Sequence, residues 1–225
     1  MTTNNIPLAW ARDWLQQPKQ QYINGQWVDG NSDDWVVSNP ANGEELCRFA
    51  MADADQVEQT AVIANQNHAA GTWAKVSRTE RANALRQIAD LIRNNVEKLA
   101  LLETLPNGKL FAESMADDIP TCADIFDYYA GWTDKFYGET SPVDEGFLNY
   151  TLKEPVGVCG LIAPWNFPLY QASLKIAPAL AMGNTVIIKP SEYTPLTMIY
   201  LMELIDSELD LPAGVLNMLL TDGVN

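Results

Sequence analysis

The 225-residue chain is poor in the side chains from which most reactive sites are built: it has one histidine, His68, and three cysteines, Cys47, Cys122 and Cys159. The cysteines are widely spaced, form no CxxC pair and have no histidines clustered beside them, so no metal site is expected. An odd set of this kind reads as free thiols in a reducing compartment. Positive charge is also scarce. Fourteen basic against 29 acidic residues give a formal charge of -15, a field that repels polyphosphate backbones and argues against a nucleic-acid partner. No stretch approaches the ~20 apolar residues of a bilayer span, and the start, MTTNNIPLAWARDWLQQP, lacks the basic and apolar regions of a signal peptide. A soluble, cytoplasmic protein with no membrane partner is the expectation. The GxGxxG fingerprint of the usual dinucleotide fold is missing as well.

What is present is a folding composition, 47% hydrophobic, enough apolar side chain for a sizeable core. Asn24-Gly25 between Tyr22-Ile23 and Gln26-Trp27-Val28 signals a type I′ hairpin. Asp53 is a good N-cap for a helix to Ala70, with Val57, Ala61, Val62 and Ala64 or Asn65 at helical spacing and Gly71 closing it. Ser77 and Glu80 form a capping box for a helix whose apolar residues, from Leu85 through Ile88, Ile92, Val96 and Leu99, carry it to about Thr104. Pro106-Asn107-Gly108 is a breaker cluster. A further helical stretch follows Leu110, interrupted by Pro120, and Asp118 is expected to cap a second helix through Tyr137, ended by Gly138.

From Ser141 to Glu154 the period changes: Phe147, Asn149 and Thr151 alternate with Leu148, Tyr150 and Leu152, as in a strand with one covered face. Beyond Pro155-Val156-Gly157 the chain reads β-α-β-α-β: Val158 to Ala163, a helix from Leu169 to Met182 kinked by Pro178, Thr185 to Lys189, a helix from Pro195 to about Leu209, and Val215 to Leu220. Apolar strands joined by helical crossovers imply a parallel, doubly wound sheet. A sheet of three such strands would leave an apolar edge uncovered and the chain prone to associate.

Two short segments lie where such sheets bind ligands, at the carboxyl ends of strands. The first is Ala163-Pro164-Trp165-Asn166-Phe167-Pro168. Its prolines fix the loop and leave the Asn166 amide as a rigid donor suited to a developing oxyanion. Its bulk excludes a pyrophosphate from the helix N-terminus in the ordinary manner. The second is Lys189-Pro190-Ser191-Glu192, a cation and an anion around a proline, able to bind two ribose hydroxyls. The plainer alternatives are an asparagine that satisfies its own loop and a surface ion pair worth less than about 1 kcal/mol.

APWNFP, then SLKIAPALAMGNTVIIKPSE, then LPAGVLNML, preceded by DDIP, YYAGW and GET, together resemble the NAD(P)-dependent aldehyde dehydrogenase superfamily over essentially the whole chain. The resemblance implies an α/β fold with an incomplete doubly wound parallel sheet of non-standard Rossmann type, N-terminal helices and a β-strand oligomerisation arm. It divides the chain into residues 1–140, the helical and hairpin part of the cofactor domain; 141–154, the arm; and 155–225, the β-α-β-α-β cofactor layer. It further implies that Asn166 stabilises the oxyanion, that Lys189 and Glu192 grip the adenosine ribose and that Ser191 is a further cofactor-binding residue. Ile162, Ala163, Pro164 and Trp165 would line the cofactor cleft, with Lys175 matching a lysine assigned in some members to a proton relay.

A carboxylate at Glu192 accepts from a 2′-hydroxyl and repels a 2′-phosphate, which favours NAD over NADP. The family's cysteine nucleophile, glutamate base and catalytic domain fall beyond Asn225. The chain by itself is therefore expected to be inactive, an aldehyde being the substrate of the longer form. Expected partners are a second copy or a full-length relative, the latter in a noncatalytic, regulatory alternative. The loop Pro106-Asn107-Gly108-Lys109-Leu110 departs from the family's usual Gly-Lys-Pro pattern, so its shape is expected to differ.

Overall fold

The computed structural model describes residues 6–223, with side chains from residue 8 onward. In chain order the elements are α1 (Ile6–Leu15), β1 (Gln21–Ile23), β2 (Gln26–Val28), β3 (Asp34–Ser38), β4 (Glu45–Ala50), α2 (Ala54–Ala70), α3 (Arg78–Asn94), α4 (Val96–Asn107), α5 (Phe111–Glu113), a π-helical turn (Ser114–Asp118) and α6 (Ile119–Ala130). Then come β5 (Thr140–Ser141), β6 (Asn149–Tyr150), β7 (Val158–Ile162), α7 (Pro168–Ala181), β8 (Thr185–Lys189), α8 (Leu196–Glu208) and β9 (Leu216–Met218).

The expected β-α-β-α-β unit is present as β7-α7-β8-α8-β9, its strands parallel and in register, with Ile162 opposite Lys189 and Ile188 opposite Met218. The Asn24-Gly25 hairpin forms too, with both turn residues at positive φ (52° and 77°), as a type I′ turn requires. It does not stand apart. Tyr22 pairs antiparallel with Met218, so the sheet has five strands in the order β2-β1-β9-β8-β7. The bare edge expected beside β9 is thus covered by the chain's own first strands. Among the described residues the sheet's two edges are β2 and β7, and beside β7 Val156 and Ile162 are exposed. A second antiparallel pair, β3 with β4, was not foreseen.

The helices follow their caps more closely than their apolar spacing. The Asp53 side chain accepts from the Gln56 N–H and Gly71 closes α2 in the left-handed region, as expected. The buried line, however, is Gln56, Thr60 and Ala64, while Ala61 and Val62 face outward. The i, i+4 line faces the sheet, where the Thr185 hydroxyl donates to the Ala64 carbonyl at 3.1 Å.

The Ser77–Glu80 capping box is formed, but the helix does not reach Thr104 unbroken. It stops at Asn94, because Asn95 leaves helical geometry (φ -123°, ψ 20°). The Asn95 side chain instead donates to the Leu91 carbonyl and accepts from the Tyr200 hydroxyl. α4 then restarts and carries Pro106 in its last turn, ended by Gly108 at φ 82°.

Asp118 caps nothing: it lies in helical geometry with no capping bond. Here the chain widens into a π turn, in which the Ile119 N–H reaches back five residues to the Ser114 carbonyl, and Pro120 falls in the first turn of α6. α6 ends at Ala130 rather than Tyr137. α3, α6 and α7 share one core with the sheet, in which Leu85, Ile88, Phe126, Leu169 and Ile188 are fully enclosed.

The strand expected over Phe147–Leu152 with a covered face is replaced by a short hairpin. Thr140 pairs with Tyr150 and Ser141 with Asn149, and both faces are open. Phe147 is 79% exposed, Leu148 76% and Leu152 70%, because no other described element of the chain lies over them. Apolar area of this kind drives association. The purified chain is expected to sediment as oligomers at micromolar concentration, and Phe147→Ser with Leu148→Ser to shift it toward monomer. Monomeric sedimentation of the unaltered chain would contradict this.

Candidate functional site

The two segments singled out in the sequence meet at the carboxyl edge of the sheet. β7 and β8 end side by side, and the Ala163 N–H donates to the Lys189 carbonyl at 3.0 Å. Past that bond the chains diverge, one into the Ala163–Pro168 loop and the other into the Lys189–Glu192 turn. Ala163 is buried, whereas Ile162, Pro164, Trp165 and Asn166 are exposed along the rim. Such an apolar rim beside polar groups suits a flat, amphipathic ligand.

The loop is held from two sides. The Trp165 carbonyl accepts from Asn107 Nδ2 at 2.8 Å and from Thr194 Oγ1 at 3.0 Å, and the Asn166 carbonyl accepts from the same Asn107 amide at 3.3 Å. Phe167 precedes α7, and its carbonyl accepts the Gln171 N–H at 2.9 Å. Among the described residues the Asn166 carboxamide itself makes no hydrogen bond. Its donor is therefore available, and the loop is satisfied by other groups.

On the β8 side, Lys189 Nζ donates to Glu192 Oε2 at 2.8 Å, each side chain only 16% exposed. The pair is half-sunk in the rim, in contrast to an ordinary surface ion pair, and Glu192 Oε1 remains free to accept. Ser191 is nearly buried, its hydroxyl accepting the Tyr193 N–H. The Lys175 ammonium donates to Gln171 one turn earlier in α7, at 3.3 Å.

Beneath the loop lies a buried charged group that the sequence did not announce. Lys109 Nζ pairs with Asp118 at 2.7 Å, stands 3.9 Å from Glu103 and sits 4.1 Å from the centroid of the Phe167 ring. Glu103 is fully enclosed, and neither of its oxygens has a hydrogen-bond partner. Burial pushes its pKa up to about 7, against the opposing pull of the Lys109 ammonium. The outer side of Phe167 opens on a cleft lined by Asp117, Asp118, Thr121, Tyr170 and Gln171.

No thiol in the chain is set up as a nucleophile. Burial raises the pKa of all three, that of Cys47 to about 11, where a reactive thiolate needs it lowered. Among the described residues no cluster of metal-ligating side chains occurs and no helix is long and apolar enough to cross a membrane. The residues that sequence reasoning missed are Asn107 and Thr194, which grip the loop, and the Glu103–Lys109–Asp118 group behind it. The departure at Pro106–Leu110 was their one visible signal.

Fold and site together define a non-standard dinucleotide-type layer, with a proline-locked asparagine loop where a glycine-rich turn would stand. The chain belongs to the aldehyde dehydrogenase family, whose family model matches residues 27–225. It is 42% identical to human aldehyde dehydrogenase 1A1 over 217 residues, 96% of this chain and 43% of that protein. To the human mitochondrial aldehyde dehydrogenase it is 42% identical, over 90% of this chain and 40% of that protein.

Among solved structures, a variant aldehyde dehydrogenase from Bacillus cereus superposes with a TM-score of 0.91 at 37% identity, over 95% of this chain and 44% of that one. Betaine aldehyde dehydrogenase from Staphylococcus aureus, solved in complex with NAD+, gives 0.89 at 38% identity, over 96% and 43%. The chain spans about two fifths of the length of the curated relatives it matches.

Proposed function

We propose that these 225 residues are the amino-terminal, cofactor-binding part of an NAD-dependent aldehyde dehydrogenase, which converts an aldehyde to a carboxylic acid through a cysteine thioester. The observation that carries this reading is the 3.0 Å bond from Ala163 to Lys189, which sets the asparagine loop and the Lys–Glu turn side by side at the strand ends. The donor set suits a ribose: Lys189 can give a hydrogen bond to one hydroxyl, and the free Glu192 oxygen can accept from the other. Glu192 would also repel a 2′-phosphate, which favours NAD over NADP.

Bound NAD+ supplies the hydride acceptor. This chain's part is to seat the adenosine end with Lys189, Ser191 and Glu192 and to bound the cleft with Ile162, Ala163, Pro164 and Trp165. Asn166 donates to the oxyanion formed when a thiol from the remainder of the enzyme attacks the aldehyde. A relay through Lys175 would require its ammonium to exchange its bond to Gln171. Free, high-pKa cysteines accord with a reducing, cytoplasmic setting.

Purified as 225 residues, the chain is expected to produce no acid from aldehydes with NAD+, since none of its thiols is activated. Calorimetry should give an NAD+ dissociation constant weaker than about 1 mM, roughly 4 kcal/mol of binding, because the chain spans only about two fifths of the length of its relatives and offers the cofactor correspondingly few contacts. Cofactor-dependent turnover, or a micromolar constant, would overturn the assignment of roles.

The exposed hairpin around Phe147 and Leu148 favours a second reading, in which the chain acts without catalysis by associating with a full-length relative or with itself. Co-purification of an intact relative that is lost in the Phe147→Ser, Leu148→Ser chain supports it; recovery of the chain free of any relative counts against it.

A further inference from the structure

We propose that Asn107 is a positioning residue for Asn166, its side-chain amide fixing the backbone from which the oxyanion donor projects. The inference rests on the function proposed above for Asn166.

The geometry is specific. One nitrogen, Asn107 Nδ2, donates to two consecutive carbonyls, Trp165 at 2.8 Å and Asn166 at 3.3 Å, across 58 and 59 residues of sequence. Those carbonyls bracket the Asn166 Cα, so holding both limits rotation about its φ and ψ. Neither neighbour within the loop does this. The Asn166 carboxamide has no partner of its own among the described residues, and the prolines at 164 and 168 restrict themselves and the residues before them, Ala163 and Phe167, but not Asn166. Thr194 reaches the Trp165 carbonyl alone.

Asn107 can make this contact because Gly108, at φ 82°, terminates α4 immediately after it. A Cβ on Gly108 would meet Pro40 Cγ at 3.0 Å, in a conformation that L side chains rarely adopt. The next residue, Lys109, is anchored by its 2.7 Å pair with Asp118 and lies against the Phe167 ring, so the segment carrying Asn107 is itself fixed. An oxyanion donor must be held within a few tenths of an ångström of its working place, and such precision comes from groups behind it. Among the described residues, the only group that touches both the Asn166 peptide carbonyl and the preceding one is the Asn107 amide.

The test is ¹⁵N relaxation on the chain as it stands, without cofactor or aldehyde. In the unaltered chain the Trp165, Asn166 and Phe167 amides should show rigid order parameters near 0.85, and in Asn107→Asp, which keeps the shape and loses the donor, they should fall below about 0.6. Asn107→Ala should do the same, while the amides of α3 and β8 keep their values in both. Loop order unchanged in either variant, or lost equally across α3 and β8, would overturn the proposal. The measurement is independent of chemistry. A loop that loosens as expected, alongside an Asn166→Ala enzyme of undiminished kcat, would retain the clamp and remove the function assigned to Asn166.

Discussion

Replacing Glu103 by glutamine is expected to stabilise the chain at pH 8 and to leave it almost unchanged at pH 5. Glu103 is enclosed with both oxygens unpaired, and its folded pKa of about 7 stands above the ordinary 4.5. Between those values the folded state holds a proton that the unfolded state has released. Stability is therefore greatest below pH 4.5, falls as pH rises through about 7 and stays low beyond it. The span corresponds to about 3 kcal/mol, at 1.36 kcal/mol per pH unit.

Glutamine keeps the volume and cannot ionise, and its amide can donate to the Thr197 hydroxyl oxygen, which also lacks a partner. Urea unfolding at the two pH values reads the difference directly as a shift in midpoint. If the unaltered chain and Glu103→Gln lose the same stability between pH 5 and pH 8, the source of the pH dependence lies elsewhere. Removing Lys109 instead, as Lys109→Met, should act in the opposite sense, since it leaves Asp118 with its charge and without its 2.7 Å partner.

The second large effect concerns the reaction. In a chimera joining residues 1–225 to the cysteine-bearing remainder of a 42%-identical relative, Asn166→Ala is expected to lower kcat by about 10²–10³, the usual cost of one oxyanion donor. The Michaelis constant for NAD+ should hardly move, because the role proposed for Asn166 is on charge that develops after binding. Glu192→Ala should show the complementary pattern, a raised constant for NAD+ with kcat largely kept. Steady-state kinetics on the two variants separates the roles. Equal losses in both parameters for both residues would mean that the loop and the turn act as a single structural unit.

Much of this was legible in the sequence because it is local. The apolar runs Val158–Ile162 and Thr185–Lys189, the crossover helices between them, the Asn24-Gly25 turn and the Ser77–Glu80 box each depend on residues within one element, and each is present. The motif at Ala163–Pro168 and the tetrapeptide at Lys189–Glu192 were legible for the same reason, and the parallel register explains why they had to be neighbours.

What misled was spacing without a partner. Val62 and Phe147 lie in patterns that predict burial, yet burial requires another surface, and the chain supplies none there. Asp118 carries the side chain of an N-cap, but its backbone is helical and the π turn runs on through it into α6, so its carboxylate is left to pair with Lys109.

The sequence by itself therefore determined the parallel layer, its crossovers and the two segments at the strand ends, since hydrophobic period and turn chemistry are written in consecutive residues. Only the tertiary structure decided that the first hairpin closes the edge beside β9, that Asn107 holds the Asn166 loop and that Glu103 lies uncharged-prone beneath it. Each of these is a contact between groups tens of residues or more apart in sequence. Their energies come from burial and hydrogen-bond geometry, which exist only once the chain has folded.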